Sequence, residues 1–354
     1  MANKVLMKGN EALAEAAIRA GCRCFFGYPI TPQTQVAEYM AKRMPKVGGV
    51  YLQSESEIAA INMVLGASAC GVRAMTSSSS PGISLKAEGI SYLAGSDLPA
   101  VIVNVQRGGP GLGGIQPSQA DYYQATKGLA HGDFHAIVLA PSGVQEVVDL
   151  MGNAFDLADN YRMPVIILAD GIIGQMMEPV VLPEENNSKP PEKPWAAFGT
   201  GGKRRHNILN SLYIQPEELE KTVLDRYARY ELIEKNEVIY ENYMCDDAEI
   251  IIAAYGSTAR IAKNAIKAAR ENGIKVGLLR PVTLWPFPKA AFREAAKTAK
   301  SFLAVEMSMG QMVDDVRLAI ECSRPVHFFG RTGGVVPTPA EILRKLFEIN
   351  GGGR

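Results

Sequence analysis

The sequence predicts an α/β protein: a parallel sheet covered by helices on both faces, then an irregular arm, then a second and smaller α/β domain. Three observations carry this. Strand-like apolar runs alternate with helical patterns through the first 170 or so residues, the alternation breaks down from about 175 to 246, and it resumes at Ala248. Alternating strands and helices imply parallel pairing, because a parallel crossover needs a connection of helix length. The expected divisions are 1–174, 175–246 and 247–354. A chain of 354 residues exceeds the roughly 150 of one domain.

The elements follow in order. Asn10 is expected to cap a helix over 11–20 that Gly21 stops. A strand at 23–27 leads to a loop ending in Thr31-Pro32. Thr as cap with Pro at the first helical position predicts a helix through Lys42. Strands fit at 49–53, 72–76, 100–105, 136–140 and 164–169, and helices at 57–69, 81–95 and 142–160. Residues 184–194 read as an extended loop, 199–205 as a flexible basic turn, and 216–243 as one long polar helix. The Lys203-Arg204-Arg205 cluster reads as solvated surface. The continuous apolar run at 250–255 predicts a buried strand, and Ser257-Thr258 would cap the helix after it. Strands at 276–279, 302–305 and 326–329 and a helix from Pro339 complete the chain.

Composition excludes several classes. Lys+Arg and Asp+Glu balance at 37 each, so no bulk field points to nucleic acid or an anionic membrane. No apolar run reaches the ~18 residues of a membrane span, and the N-terminus lacks a signal-peptide core. A cytoplasmic protein is expected. The five cysteines (Cys22, Cys24, Cys70, Cys245, Cys322) lack iron–sulfur spacing, and the four histidines show no metal-ligand spacing. No metal site is expected on this chain.

Three loops leave strand ends in the first domain, and a fourth feature joins them. The helix from Glu57 opens with a carboxylate directly after a strand, at the edge where open α/β sheets bind ligands. A carboxylate shielded from water there suits proton transfer. A simple acid at a helix start, favoured by the macrodipole, fits equally. Its Ala and Gly positions, Gly66 among them, would let the helix lie close to its neighbours. Gly27-Tyr28-Pro29-Ile30-Thr31-Pro32 would fix the Thr31 hydroxyl at the same edge, whether or not Thr31 also caps a helix. The hydroxyls of Thr76–Ser80, Ser78 and Ser79 among them, could hold an anion or a polar ring edge, although capping alone explains one or two. Gly109–Gly114 matches a dinucleotide fingerprint formally, but no helix is expected to open there. The better reading is a flexible backbone beside Arg107, whose fork can grip a carboxylate; a structural arginine is the alternative.

These motifs carry a resemblance. Glu57 followed by Gly66 looks like the pyrimidine-binding domain of thiamine diphosphate enzymes. The runs 27–32 and 106–114 resemble the α subunit of 2-oxoacid:ferredoxin oxidoreductases. Residues 276–288, 305–311 and 330–334 are similar to that family's transketolase C-terminal-like domain. The resemblance spans nearly the whole chain. It implies a pyrimidine-type thiamine diphosphate-binding domain first and the transketolase C-terminal-like domain last, joined by a subunit-contact arm.

The resemblance further implies oxidative decarboxylation of a 2-oxoacid with coenzyme A, electrons passing to ferredoxin. Chain length, the serine run and the arm look most like the branched-chain members, acting on 3-methyl-2-oxobutanoate. 2-Oxoglutarate or pyruvate as substrate, a non-oxidative decarboxylase subunit and a non-catalytic scaffold are the alternatives. Glu57 would hydrogen-bond the aminopyrimidine of thiamine diphosphate, with Ser78 and Ser79 beside the cofactor. Thr31 and Arg107 match positions that hold the substrate, and Ile30 could wall its pocket. The Gly-Asp-Gly run that binds Mg²⁺ and diphosphate is missing: Asp170-Gly171 lacks the leading Gly and Gly132-Asp133-Phe134 the trailing one. A β subunit is therefore expected to bring diphosphate and Mg²⁺ sites, and ferredoxin-like and γ-type subunits the iron–sulfur clusters.

Overall fold

A computed structural model describes residues 4–184 and 192–351. Most of the extended loop expected at 184–194 lies outside them.

The first half runs β1 (Lys4–Lys8), α1 (Gly9–Arg19), β2 (Cys24–Gly27), α2 (Thr34–Arg43), β3 (Val50–Gln53), α3 (Glu57–Ala69) and β4 (Ala74–Ser78). It continues through α4 (Ser80–Gly95), β5 (Ala100–Gln106), α5 (Tyr122–Thr126), β6 (Ile137–Leu139), α6 (Val144–Tyr161), β7 (Pro164–Asp170), α7 (Gly171–Gln175) and β8 (Met177–Val181). The arm holds α8 (Pro216–Asn236) and β9 (Tyr240–Tyr243). Then come β10 (Ile250–Ala253), α9 (Gly256–Glu271), β11 (Val276–Pro281), β12 (Thr283–Trp285) and α10 (Lys289–Thr298). The chain closes with β13 (Ser301–Glu306), α11 (Met312–Ala319), β14 (Val326–Gly330) and α12 (Pro339–Ile349).

The first sheet has the order β12-β6-β7-β5-β4-β2-β3, parallel except for β12. Its central strands β4, β5 and β7 are buried along their whole length, which explains their unbroken apolar or small-residue runs. The second sheet has the order β14-β13-β10-β11-β9, with β9 antiparallel at one edge. Strands β1 and β8 form a separate antiparallel ribbon that the sequence pattern did not reveal.

Several expected boundaries move. Asn10 lies inside α1, and its amide donates to the Pro32 carbonyl (2.8 Å) and Gln35 Oε1 (2.9 Å) instead of capping. Thr31 does not cap α2, which starts at Thr34; the Pro32 carbonyl is also taken by Gln175 Nε2 (2.8 Å), holding this loop to other elements. The polar helix stops at Asn236, and the chain then pairs as β9 with β11. Ser257 and Thr258 sit in the first turn of α9, where Ser257 Oγ donates to Asp170 (2.6 Å) and Thr258 Oγ1 to the Tyr255 carbonyl (2.7 Å). Strand β12 leaves the second half of the chain to complete the first sheet.

The two sheets are tied by buried polar groups. Gln119 accepts from the Met307 amide (3.0 Å) and donates to the Tyr255 carbonyl (2.9 Å). Arg280 on β11 grips both Glu146 oxygens on α6 (2.9 and 2.7 Å) and also Glu241 (2.7 Å). Trp285 on β12 stacks on His135, ring centroids 4.6 Å apart. Among the described residues no helix is long and apolar enough to cross a membrane.

Candidate active site

Strands β2, β3, β4 and β5 are neighbours, so the residues after their carboxyl ends meet along one edge. Glu57 follows β3. Ser56 caps α3 by accepting from the Ala59 amide (3.2 Å), which leaves Glu57 in the first turn, buried. Ser54 ties the approach to β2: its amide donates to the Gly27 carbonyl (3.0 Å). Among the described residues no group donates to the Glu57 carboxylate, and Lys86 Nζ donates to the Glu57 main-chain carbonyl at 3.4 Å.

The close packing of α3 comes from its partner helix. Gly66 is exposed with open space around it, contrary to the expectation that it packs on a neighbour. On α4, by contrast, a β-carbon at Gly82 would stand 2.6 Å from Glu57 Oε1 and nearer still to Ser78 Oγ. Gly89 abuts Ile61 in the same way. Lys86 lies between these glycines on one helix face and is fully buried. Burial pushes its ammonium down to about 8, against the attraction of Glu57. Sequence reading missed Lys86 and Gly82; their spacing on one face of α4 was the available signal.

The serine run divides in two. Ser77 Oγ donates to Gln33 Oε1 (2.5 Å), and Ser80 Oγ donates to the Arg107 carbonyl (3.1 Å) and to Asp121 (2.5 Å). Ser78 and Ser79, at the mouth between them, are buried with hydroxyls that have no partner. Ser79 occupies the cap position of α4 without making a side-chain cap. Capping thus does not account for either hydroxyl. Asp121 was also missed; burial raises its carboxyl, while Ser80 and Asn104 Nδ2 (2.8 Å) hold it down.

Arg107 follows β5 and is buried. Its Nη1 donates to the Thr31 carbonyl (2.9 Å) and its Nη2 to the Leu112 carbonyl (3.2 Å), while Nε is buried without a partner. No carboxylate pairs with it among the described residues. A buried guanidinium held only by carbonyls is a receptive site for an anion. Thr31 is thereby brought to Arg107, through its carbonyl, and is itself exposed. Ile30, half-buried on the same loop, gives its carbonyl to the Gln33 amide (3.1 Å). Residues 108–121 form loop and turn up to α5, so no helix follows the glycines and a dinucleotide fingerprint has no place there. Gly108 lies against Gly333-Gly334, bringing the second domain's loop to the Arg107 loop.

Asp170 is committed to the Ile172 and Ile173 amides (2.9 and 3.2 Å) and to Ser257. Among the described residues no His, Cys, Asp and Glu cluster could hold a metal.

Comparison with known proteins now decides the family. Residues 15–241 match the thiamine diphosphate-binding domain of pyruvate flavodoxin/ferredoxin oxidoreductases, and 248–342 match core domain II of pyruvate:ferredoxin oxidoreductase. The chain belongs to the 2-oxoacid:ferredoxin oxidoreductase family. Within it, the chain is 51% identical to ketoisovalerate oxidoreductase subunit VorB of Methanothermobacter marburgensis, covering 98% of both chains. It is 38% identical to 2-oxoglutarate synthase subunit KorA of Methanothermobacter thermautotrophicus, over 99% of this chain and 100% of that one. The 2-oxoglutarate:ferredoxin oxidoreductase of Magnetococcus marinus superposes with a TM-score of 0.87 at 28% identity, over 98% of this chain and 65% of that longer one. A split-gene transketolase shares the fold alone (TM-score 0.60, 13% identity). The thiamine diphosphate-binding domain is therefore present. In it, the Glu57 carboxylate and the unpartnered Ser78 hydroxyl both lie against Gly82, and Ser79, its hydroxyl also unpartnered, follows Ser78 directly.

Proposed function

We propose that this chain is the α subunit of a complex that oxidatively decarboxylates 3-methyl-2-oxobutanoate or a close branched-chain 2-oxoacid. Coenzyme A takes the acyl group, carbon dioxide leaves, and electrons pass one at a time through iron–sulfur clusters to ferredoxin. The observation that carries the reading is that, among the described residues, no group donates to the Glu57 carboxylate and no carboxylate pairs with the Arg107 guanidinium on the same strand edge. Thiamine diphosphate, when bound, supplies the nucleophile for the ketone and the electron sink for decarboxylation.

Glu57 exchanges a proton with the ring nitrogen of the cofactor, and Ser78 and Ser79 hold the ring edge. Arg107 binds the substrate carboxylate, and Thr31 positions the substrate beside it. Ile30 belongs to the wall of the substrate pocket. Leu112 and Ile115, both exposed on the Arg107 loop, add apolar surface that suits a branched side chain. A β subunit supplies the Mg²⁺ and diphosphate sites, and ferredoxin-like and γ-type subunits the clusters. The exposed residues Ile58, Asn62 and Gly66, spaced four apart along α3, suit a partner that approaches this helix closely. The identity to the ketoisovalerate oxidoreductase subunit, higher than that to the 2-oxoglutarate synthase subunit, favours the branched substrate.

The test is coenzyme A-dependent dye reduction by the purified complex with 3-methyl-2-oxobutanoate, pyruvate and 2-oxoglutarate. Fastest reduction with the branched oxoacid is expected. Faster reduction with another oxoacid overturns the substrate, and none with any of them overturns the reaction.

A further inference from the structure

Lys86 is a buried cation that the fold does not explain. Lysine is almost never fully buried unless paired, because removing its charge from water costs several kcal/mol. Here it has no exposed surface and no ion pair among the described residues, and its single hydrogen bond, to the Glu57 carbonyl, is long at 3.4 Å. Among the described residues, Glu57 is the charged group that acts on it, opposing the effect of burial. Enclosed between α3 and α4, Lys86 cannot meet a partner subunit or a substrate unless those helices part. Whatever it does is done to Glu57.

We propose that Lys86 is a positioning residue for Glu57: it holds the first turn of α3 through the Glu57 carbonyl and sets a buried positive charge beside the Glu57 side chain. The inference rests on the reading of Glu57 as the acid that exchanges a proton with the thiamine ring. A neighbouring cation stabilises the carboxylate left when that proton goes, so each turnover is helped at the step where charge appears. The low ammonium value, about 8, adds a limit: above it Lys86 is neutral and the help is lost.

The test compares Lys86→Met, Lys86→Gln, Glu57→Gln and the Glu57→Gln/Lys86→Met double variant in the assembled complex. One readout needs no cofactor. In the cofactor-free complex, the melting-temperature shifts of Glu57→Gln and Lys86→Met should not add to that of the double variant at pH 7. The discrepancy should fade as pH rises through about 8. The second readout is turnover. Both neutral variants should lose about tenfold in kcat at pH 7, with KM for the oxoacid unchanged. Wild-type kcat should fall above about pH 8, and both variants should lack that fall.

Additive shifts, or a wild-type kcat profile in Lys86→Gln, would overturn the proposal. So would failure of both neutral variants to assemble, which would make Lys86 purely structural. Full turnover by Glu57→Gln would instead overturn the reading of Glu57 on which this rests.

Discussion

The Glu57 carboxylate occupies the space that a side chain at Gly82 would need: a β-carbon there would stand 2.6 Å from Glu57 Oε1. The acid after β3 and the helix after β4 are therefore fitted to each other. Gly82→Ala must displace the carboxylate or part α3 from α4. Overpacking of this kind costs ~1–3 kcal/mol. The complex should melt lower, and thiamine diphosphate affinity, measured by calorimetry, should fall by at least about tenfold.

Arg107 spans two carbonyls, Thr31 and Leu112, with the two arms of its fork. Lysine keeps the charge but cannot hold both while facing a substrate. Hydrogen bonds to charged groups contribute roughly 1.5–3 kcal/mol each. Arg107→Lys should accordingly lower kcat/KM for the oxoacid by about tenfold to a hundredfold, with thiamine diphosphate binding unchanged. Steady-state kinetics and calorimetry separate the two.

Glu306, at the end of β13, accepts from the amides of Met312 and Val313 (3.0 Å each) and Gln311 (3.1 Å) and from Ser308 Oγ (3.0 Å). It anchors the start of α11, so Glu306→Ala should cost about 2–4 kcal/mol as those donors lose their acceptor. Burial raises its carboxyl above the ordinary 4.5 despite these bonds. A raised acid binds its proton more readily folded than unfolded. Its contribution therefore grows as pH falls through the folded value, and is complete below 4.5. Relative to Glu306→Gln, wild type should gain stability on mild acidification, followed by thermal unfolding from pH 7 downward. A constant difference would contradict the assignment.

Much of the fold was legible because burial wrote it into the residues. The wholly buried β5 and β7 read as continuous apolar runs, and α3 begins at the acid that follows its strand. Strand β12 was not legible: the three residues Thr283-Leu284-Trp285 after β11 look the same whichever sheet receives them, and only tertiary packing sends them to β6. The Thr31-Pro32 cap signal was overridden by long-range bonds from Asn10 and Gln175 to the Pro32 carbonyl. At the site, Glu57, Arg107 and the serines stand at strand ends, where a pattern shows them. Lys86 and Gly82 matter through what lies opposite them, and a sequence does not show the facing helix.

The most direct test of the account is Glu57→Gln in the purified complex, with turnover on 3-methyl-2-oxobutanoate measured beside bound thiamine diphosphate. Glutamine keeps the shape but cannot exchange the proton. Turnover should fall by at least ~100-fold, the low end for a lost acid–base group, while the complex stays assembled. Turnover close to wild type would contradict the assignment of Glu57 as the acid of the site.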